Sequence, residues 1–338
     1  MKTITVYIGK EDRTLAETFR EFYEPYAYQG TLEGNLRESR KLKKETMACR
    51  FCKKSRAETT FSQDTHLISK LLGKNTYYSH DECDTCNQQF RLFENDLAAY
   101  LGTSRVFNHM IAGTSAPGFE SANGQIKIKK KNDLIWLEKK GDRHDDLKID
   151  LKNGKAAIKM ETQLFRPENV YKALLKMAMG ILPEIDRPDY NAGFKFLLHM
   201  ENYPELTCFK RALLTETDIV IARPFAQLFK KLESVTDERF PQHLFCLSVG
   251  NLAFQLALPG HREFHGTTLQ GYRMAIAPYI QLNSAEPHDG VVRGRKVEDL
   301  RSTEQKSNDH SMHFEFPTEN LAAVQLDFDI GELFKNKS

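Results

Sequence analysis

Four cysteines in two C-x-x-C pairs, Cys49 with Cys52 and Cys83 with Cys86, constrain this chain more than any other feature. They bracket "CRFCKKSRAETTFSQDTHLISKLLGKNTYYSHDECDTCN", a stretch that also holds His66 and ends at Asn87. Zinc takes four thiolate or imidazole ligands at tetrahedral corners, and one C-x-x-C knuckle supplies two of them from a tight turn. Two such pairs complete a structural site, and no further cysteine occurs until Cys208. Cysteines that merely fill a core have no reason to adopt paired spacing.

The compartment bears on this reading. The opening "MKTITVYIGKEDRT" has too few apolar residues before charges return to form the apolar region of a signal peptide, and no stretch reaches the roughly 18 apolar residues of a membrane helix. A cytoplasmic protein with no membrane association is expected. In a reducing compartment, clustered cysteine pairs favour metal over disulfide.

The 338 residues suffice for two domains, and 40% hydrophobic with 28% charged residues is an ordinary globular balance. A net charge of +2 says nothing about nucleic acid. The basic run "RESRKLKKETMACRFCKKSR" does, because it leads into the first knuckle and makes Lys53, Lys54 and Arg56 candidate phosphate contacts.

An α+β fold is expected: a small zinc-stapled module over 45–103 and a larger C-terminal α+β domain with an antiparallel sheet over 125–338. Residues 1–44 read as a strand "ITVYIG", a helix "DRTLAETFREFYEPY" and a basic arm, and 104–124 as a linker. "NQQFRLFENDLAAYLG" spaces Phe90, Phe93, Leu97 and Leu101 as a helix growing out of the second knuckle and ending at Gly102. "RPENVYKALLKMAMGILP" reads as an amphipathic helix with Val170, Leu174, Leu175, Ala178 and Ile181 on its apolar stripe. Strands are expected at "QIKIKKK", "DLIWLEKK", "LKIDL", "KAAIKM", "GFKFLLHM", "DIVIARP", "QHLFCLSV", "LAFQLAL", "YRMAIAPYI" and "MHFEFP". Asn153-Gly154 is expected as a two-residue hairpin turn, and the polar "EDLRSTEQKSNDHS" as a mobile segment.

Zinc pinning a hairpin against the helix that follows would let His66, in the β-leaning "FSQDTHLIS", face Asn87 across a cleft. A divalent cation beside Asn87 would then share a substrate phosphate with a neutral imidazole able to take a proton from water.

This order, Cys-x-x-Cys, a histidine after a β segment, then Cys-x-x-Cys-Asn entering a helix, resembles the zinc-stapled branch of the HNH endonucleases, which share the ββα-metal fold. The resemblance covers about residues 45 to 102. It implies hydrolysis of DNA phosphodiesters with Mg2+ or a similar cation, His66 as general base, Asn87 as ligand to the catalytic cation, and the four cysteines as structural zinc ligands. The chain departs from the family pattern at Thr65, where an acidic or histidine ligand commonly precedes the base. Asp64, which would share a side of an extended strand with His66, is the candidate to replace it. Ser69 and Lys53 stand where proline and glycine are common, and Asn75 and His80 are both candidates for the middle position of the motif.

Elsewhere the default readings prevail. Glu94 and Asp96 read as helix-surface or capping groups, and Asp81, Glu82 and Asp84 as exposed flanks of the knuckle. His261 and His265 have a helical metal-binding spacing but no third ligand. Cys208 and Cys246 read as buried thiols, and Trp136 as core. Lys127, Lys129, Lys130 and Lys131 could touch phosphates or form a polar strand edge.

The leading expectation is therefore a metal-dependent HNH-type endonuclease acting on DNA, in defence against foreign DNA, with the C-terminal region selecting targets, binding a protein partner or mediating oligomerisation. The alternatives are a non-catalytic zinc module that binds nucleic acid or protein, and an RNA-directed nuclease.

Overall fold

A computed structural model describes residues 21–30, 48–108, 117–131, 134–140, 147–150, 152–198, 204–260, 275–277 and 292–315. The expected strand "ITVYIG", nearly all of the basic arm, most of "YRMAIAPYI", and His261 and His265 lie outside them. The chain is a mixture of helices and antiparallel sheet. No helix among the described residues is long and apolar enough to cross a membrane.

In chain order, β1 (Tyr26–Gly30) precedes the cysteine unit. That unit holds a short hairpin, β2 (Thr65–His66) with β3 (Tyr78–Ser79), and the helix α1 (Asp84–Leu101). α1 buries Phe90, Phe93, Leu97 and Leu101, as its spacing predicts, and stops at Gly102, whose φ of 50° is one that a β-carbon disfavours. Within 104–124, Ser104–Phe107 forms a helical turn, α2, and Phe119–Glu120 forms β4.

Two three-stranded sheets follow. One is β4 with β5 (Ile126–Lys131) and β6 (Leu134–Lys139). The other is β7 (Leu147–Asp150), β8 (Lys155–Glu161) and the late strand β12 (Asp309–Glu315). Ile126 and Ile128 from the first sheet and Ile158 and Met160 from the second share a small core with Val106 and Phe119. The β7–β8 connection is not the expected two-residue turn. Asp150 pairs with Lys155, so four residues intervene, and of Asn153 and Gly154 only the glycine has positive φ. Asn153 instead donates from its backbone and side chain to Asp150, closing the loop through the side chain.

The helix α3 (Pro167–Ile181) is followed by α4 (Asn191–Leu198) and by the main sheet of β9 (Arg211–Lys231), β10 (His243–Ala257), β11 (Val292–Asp299) and β1. β9 is long enough to pair with β1 at one end, β11 at the other and β10 along most of its length. "GFKFLLHM", expected as a strand, lies largely in α4. The same Phe-x-Phe-Leu pattern that fits period 2 also places Gly193, Phe194 and Leu197 at helical spacing, and this face is buried. "EDLRSTEQKSNDHS", expected as a mobile segment, has a defined place in the fold. It includes the end of β11 and the start of β12, and between them Leu300 is buried and Lys306 bridges Phe165 in both hydrogen-bond directions.

α3 is not an amphipathic surface helix. Val170, Leu174, Leu175 and Ala178 are buried as expected, but so are Lys172 and Lys176 on the turns between them. Buried residues of the cysteine unit and of the main sheet form one continuous core around α3. Close approach is enforced at Gly180, where a β-carbon would lie 2.7 Å from Cδ2 of Leu67, the buried neighbour of His66. Gly180→Ala is expected to destabilise the protein by about 1 kcal/mol, since overpacking costs about 1–3 kcal/mol and the helix-propensity gain offsets up to about 1. Urea denaturation would measure it, and an unchanged or raised midpoint would mean that Leu67 yields without cost.

Candidate metal centre

The two knuckles meet. Arg50 N–H donates to the Asp81 carbonyl, the Arg50 guanidinium pairs with the Asp81 carboxylate at 3.0 Å, and Cys83 N–H donates to the Cys49 sulfur. In the first knuckle, Lys53 adopts φ 63°, the left-handed conformation that glycine takes freely. In the second, Cys83 caps α1, its sulfur accepting from Cys86 N–H.

All four sulfurs lie within 4.8 Å of one another. Cys49 and Cys86 are 3.8 Å apart and Cys52 and Cys83 3.7 Å. Sulfurs about 2.3 Å from a tetrahedral zinc are separated by about 3.8 Å, so the donor set fits a structural metal such as zinc. Its contact with Cys86 pulls the Cys49 thiol down to about 5 despite burial, while burial raises Cys52 to about 11. Among the described residues, the four cysteines are the one group of three or more His, Cys, Asp or Glu side chains close enough to share an ion.

Asp84, in the first turn of α1, ties down the segment before the hairpin. Burial opposes its charge, yet hydrogen bonds from Thr60, Ser62 and Gln63 outweigh that and hold its carboxyl well below the usual range. This segment leads to His66, which is buried at 7% exposure with its ring against Tyr78.

Asn75, one of the two candidates for the middle position, contacts His66, with Oδ1 3.2 Å from Nδ1. The Asn75 amide nitrogen is spent on the carbonyls of Ile68 and Gly73. Asn75 Oδ1 must therefore accept, His66 Nδ1 must carry the proton, and the Nε2 lone pair is left as the acceptor. Nε2 is buried and has no hydrogen-bond partner among the described residues. Burial also lowers the imidazole to about 4, with Asn75 opposing, so the ring is neutral at physiological pH.

The other expected ligands and phosphate contacts have partners or surroundings of their own. Asn87 is half-buried in the first turn of α1, its Nδ2 donating to Gln63 Oε1, which leaves Oδ1 as an acceptor. Thr65 is buried, its hydroxyl donating to the Ser79 carbonyl, and so serves the hairpin. Asp64 precedes the two-residue strand and is exposed while His66 is buried, and its carboxylate is near enough to act on the imidazole electrostatically. Lys53 Nζ donates to the Arg50 carbonyl and lies over the Phe194 ring, and Arg56 lies over Phe61; Lys54 is exposed.

The sequence reading missed the charged groups beneath the site. Lys176 Nζ, from α3, donates to the His66 carbonyl at 2.6 Å and pairs with Glu82 at 3.3 Å and Glu94 at 3.6 Å. Glu82 is thus fully buried rather than an exposed flank, and burial raises its carboxyl to about 7 against the pull of Lys176. Glu94 also accepts from Ser69, and Asp96 from Asn169 of α3. A lysine at a helical spacing that otherwise reads as polar face gave no signal of this role.

A scan against family models finds no match, and searches of curated proteins and of solved structures return no similar protein. The fold and site define an α+β protein with a four-cysteine cluster suited to a structural metal.

Proposed function

We propose that this protein is a metal-dependent endonuclease of the HNH type that hydrolyses DNA phosphodiester bonds, with defence against foreign DNA as its setting by analogy. The observation that supports the reading best is the state of His66: a neutral imidazole whose Nδ1–H is held by Asn75, which leaves Nε2 as the only proton acceptor on the ring. A purely structural zinc unit has no need of this arrangement.

His66 Nε2 takes a proton from the attacking water, and Asn75 Oδ1 stabilises the imidazolium that forms. A hard cation is commonly held by one or two protein oxygens plus waters and substrate phosphate, so Asn87 Oδ1 and the Asp64 carboxylate are chemically suited to Mg2+. When bound, such a cation neutralises charge developing on the leaving oxygen. The cysteine cluster fixes the hairpin against α1 and takes no part in the reaction.

The rival reading, a non-catalytic zinc unit, is favoured by the burial of His66. Incubation with plasmid and Mg2+ separates the two. The wild type is expected to cut and His66→Ala to lose about 100- to 10,000-fold in rate. Equal cutting by both proteins, or cutting by neither, would remove His66 from catalysis, and preferential cleavage of an RNA substrate would reassign the polymer.

A further inference from the structure

Trp136, the only tryptophan of the chain, is 50% exposed rather than buried. In β6 it stands directly across from Lys129 of β5, also exposed. The alternation of β5 explains this: Ile126 and Ile128 turn into the small core with Leu137, so Lys127, Lys129, Trp136 and Glu138 share the opposite face. Among the described residues, Trp136 has no ring or cation packed on it and Lys129 has no acidic partner. Lys127 pairs with Glu120 at 3.1 Å, an exposed contact of the kind worth little in water. Gly118 lies against the stem of Lys129 and adds no side chain to that flank.

A large exposed aromatic beside the unpaired Lys129 and the surface-paired Lys127 on one sheet face suits a ligand that offers planar rings and a polyanionic backbone together. A run of Asp and Glu alone offers charge without rings. We propose that this face binds a segment of single-stranded DNA, with a base stacked on Trp136 and the adjoining phosphates on Lys129 and Lys127. The choice of DNA as the polymer rests on the nuclease reading above; the stacking surface does not.

Because Trp136 is the only tryptophan, its fluorescence reports this surface directly. Adding an oligothymidylate of about twelve nucleotides, within the usual single-strand site size, without added divalent cation is expected to quench it saturably, less so at high salt. By anisotropy of the labelled oligonucleotide, Trp136→Ala is expected to bind about 5- to 150-fold more weakly, and Trp136→Phe, which keeps a stacking ring, to recover most of the loss. Lys129→Glu is expected to weaken binding and flatten its salt dependence. Binding is read without added divalent cation and cutting with it, so failure of the catalytic reading and failure of this one are distinct results. Absent binding, Trp136→Ala binding within twofold of wild type, or equal quenching by polyglutamate would overturn the proposal. Tighter binding of oligouridylate would overturn the choice of DNA.

Discussion

Cys83→Ser is expected to abolish metal binding and to melt the hairpin and the start of α1. The Cys83 sulfur does two things: it is one corner of the four-sulfur cluster, and it caps the helix by accepting from Cys86 N–H. Serine can still cap a helix, so the substitution isolates the loss of the metal ligand. Structural zinc in small domains is worth about 10–16 kcal/mol of apparent binding free energy, which in such domains is folding free energy. The loss here is expected to be smaller, because Phe51, Leu67 and Phe90 of the same unit are also held in the continuous core. Elemental analysis should give one zinc per wild-type chain and none for the variant, and hydrogen exchange should show amides of 48–90 losing protection while β9 and β10 keep theirs. Full zinc occupancy in the variant, or an unchanged exchange pattern without zinc, would mean that the cluster is not the staple.

The cysteine cluster was legible because its chemistry is local: a knuckle is encoded in four consecutive residues, and only the meeting of two knuckles is a tertiary event. α1 was legible for the same reason, through regular apolar spacing and a glycine stop. Trp136 was misread because aromatic residues default to cores, whereas the strand has two faces and the neighbouring Leu137 occupies the inner one. The Asn75 contact stayed open because a polar residue in a loop reveals its partner only once the loop closes, nine positions from His66. Least legible was the interior of α3. Lysines at 172 and 176 read as the wet side of an amphipathic helix, and nothing local shows that Glu168, Glu82 and Glu94 wait to receive them.

The second large effect is expected at Lys176. Its side chain is 1% exposed, and its ammonium meets a carbonyl from β2, a carboxylate beside the second knuckle and a carboxylate from α1. These partners are distant in sequence, the His66 carbonyl by 110 positions. Lys176→Met fits the volume but leaves Glu82 and Glu94 without a cation, and removing one partner of a buried ion pair costs about 3–5 kcal/mol. Methionine also leaves the His66 carbonyl without its donor, so β2 should loosen from α3. Combining Lys176→Met with Glu82→Gln removes the more deeply buried of the two stranded charges, and the double variant is expected to regain more than half of the lost stability in urea denaturation. A single-variant loss below about 1 kcal/mol would place this pair with the weak surface bridges rather than the buried ones. The double variant also separates two roles of the lysine. Recovered stability with His66 still displaced, read from its imidazole NMR signals, would show that Lys176 positions the candidate base through its carbonyl. Recovery of both would show that neutralising Glu82 is all the site requires of it.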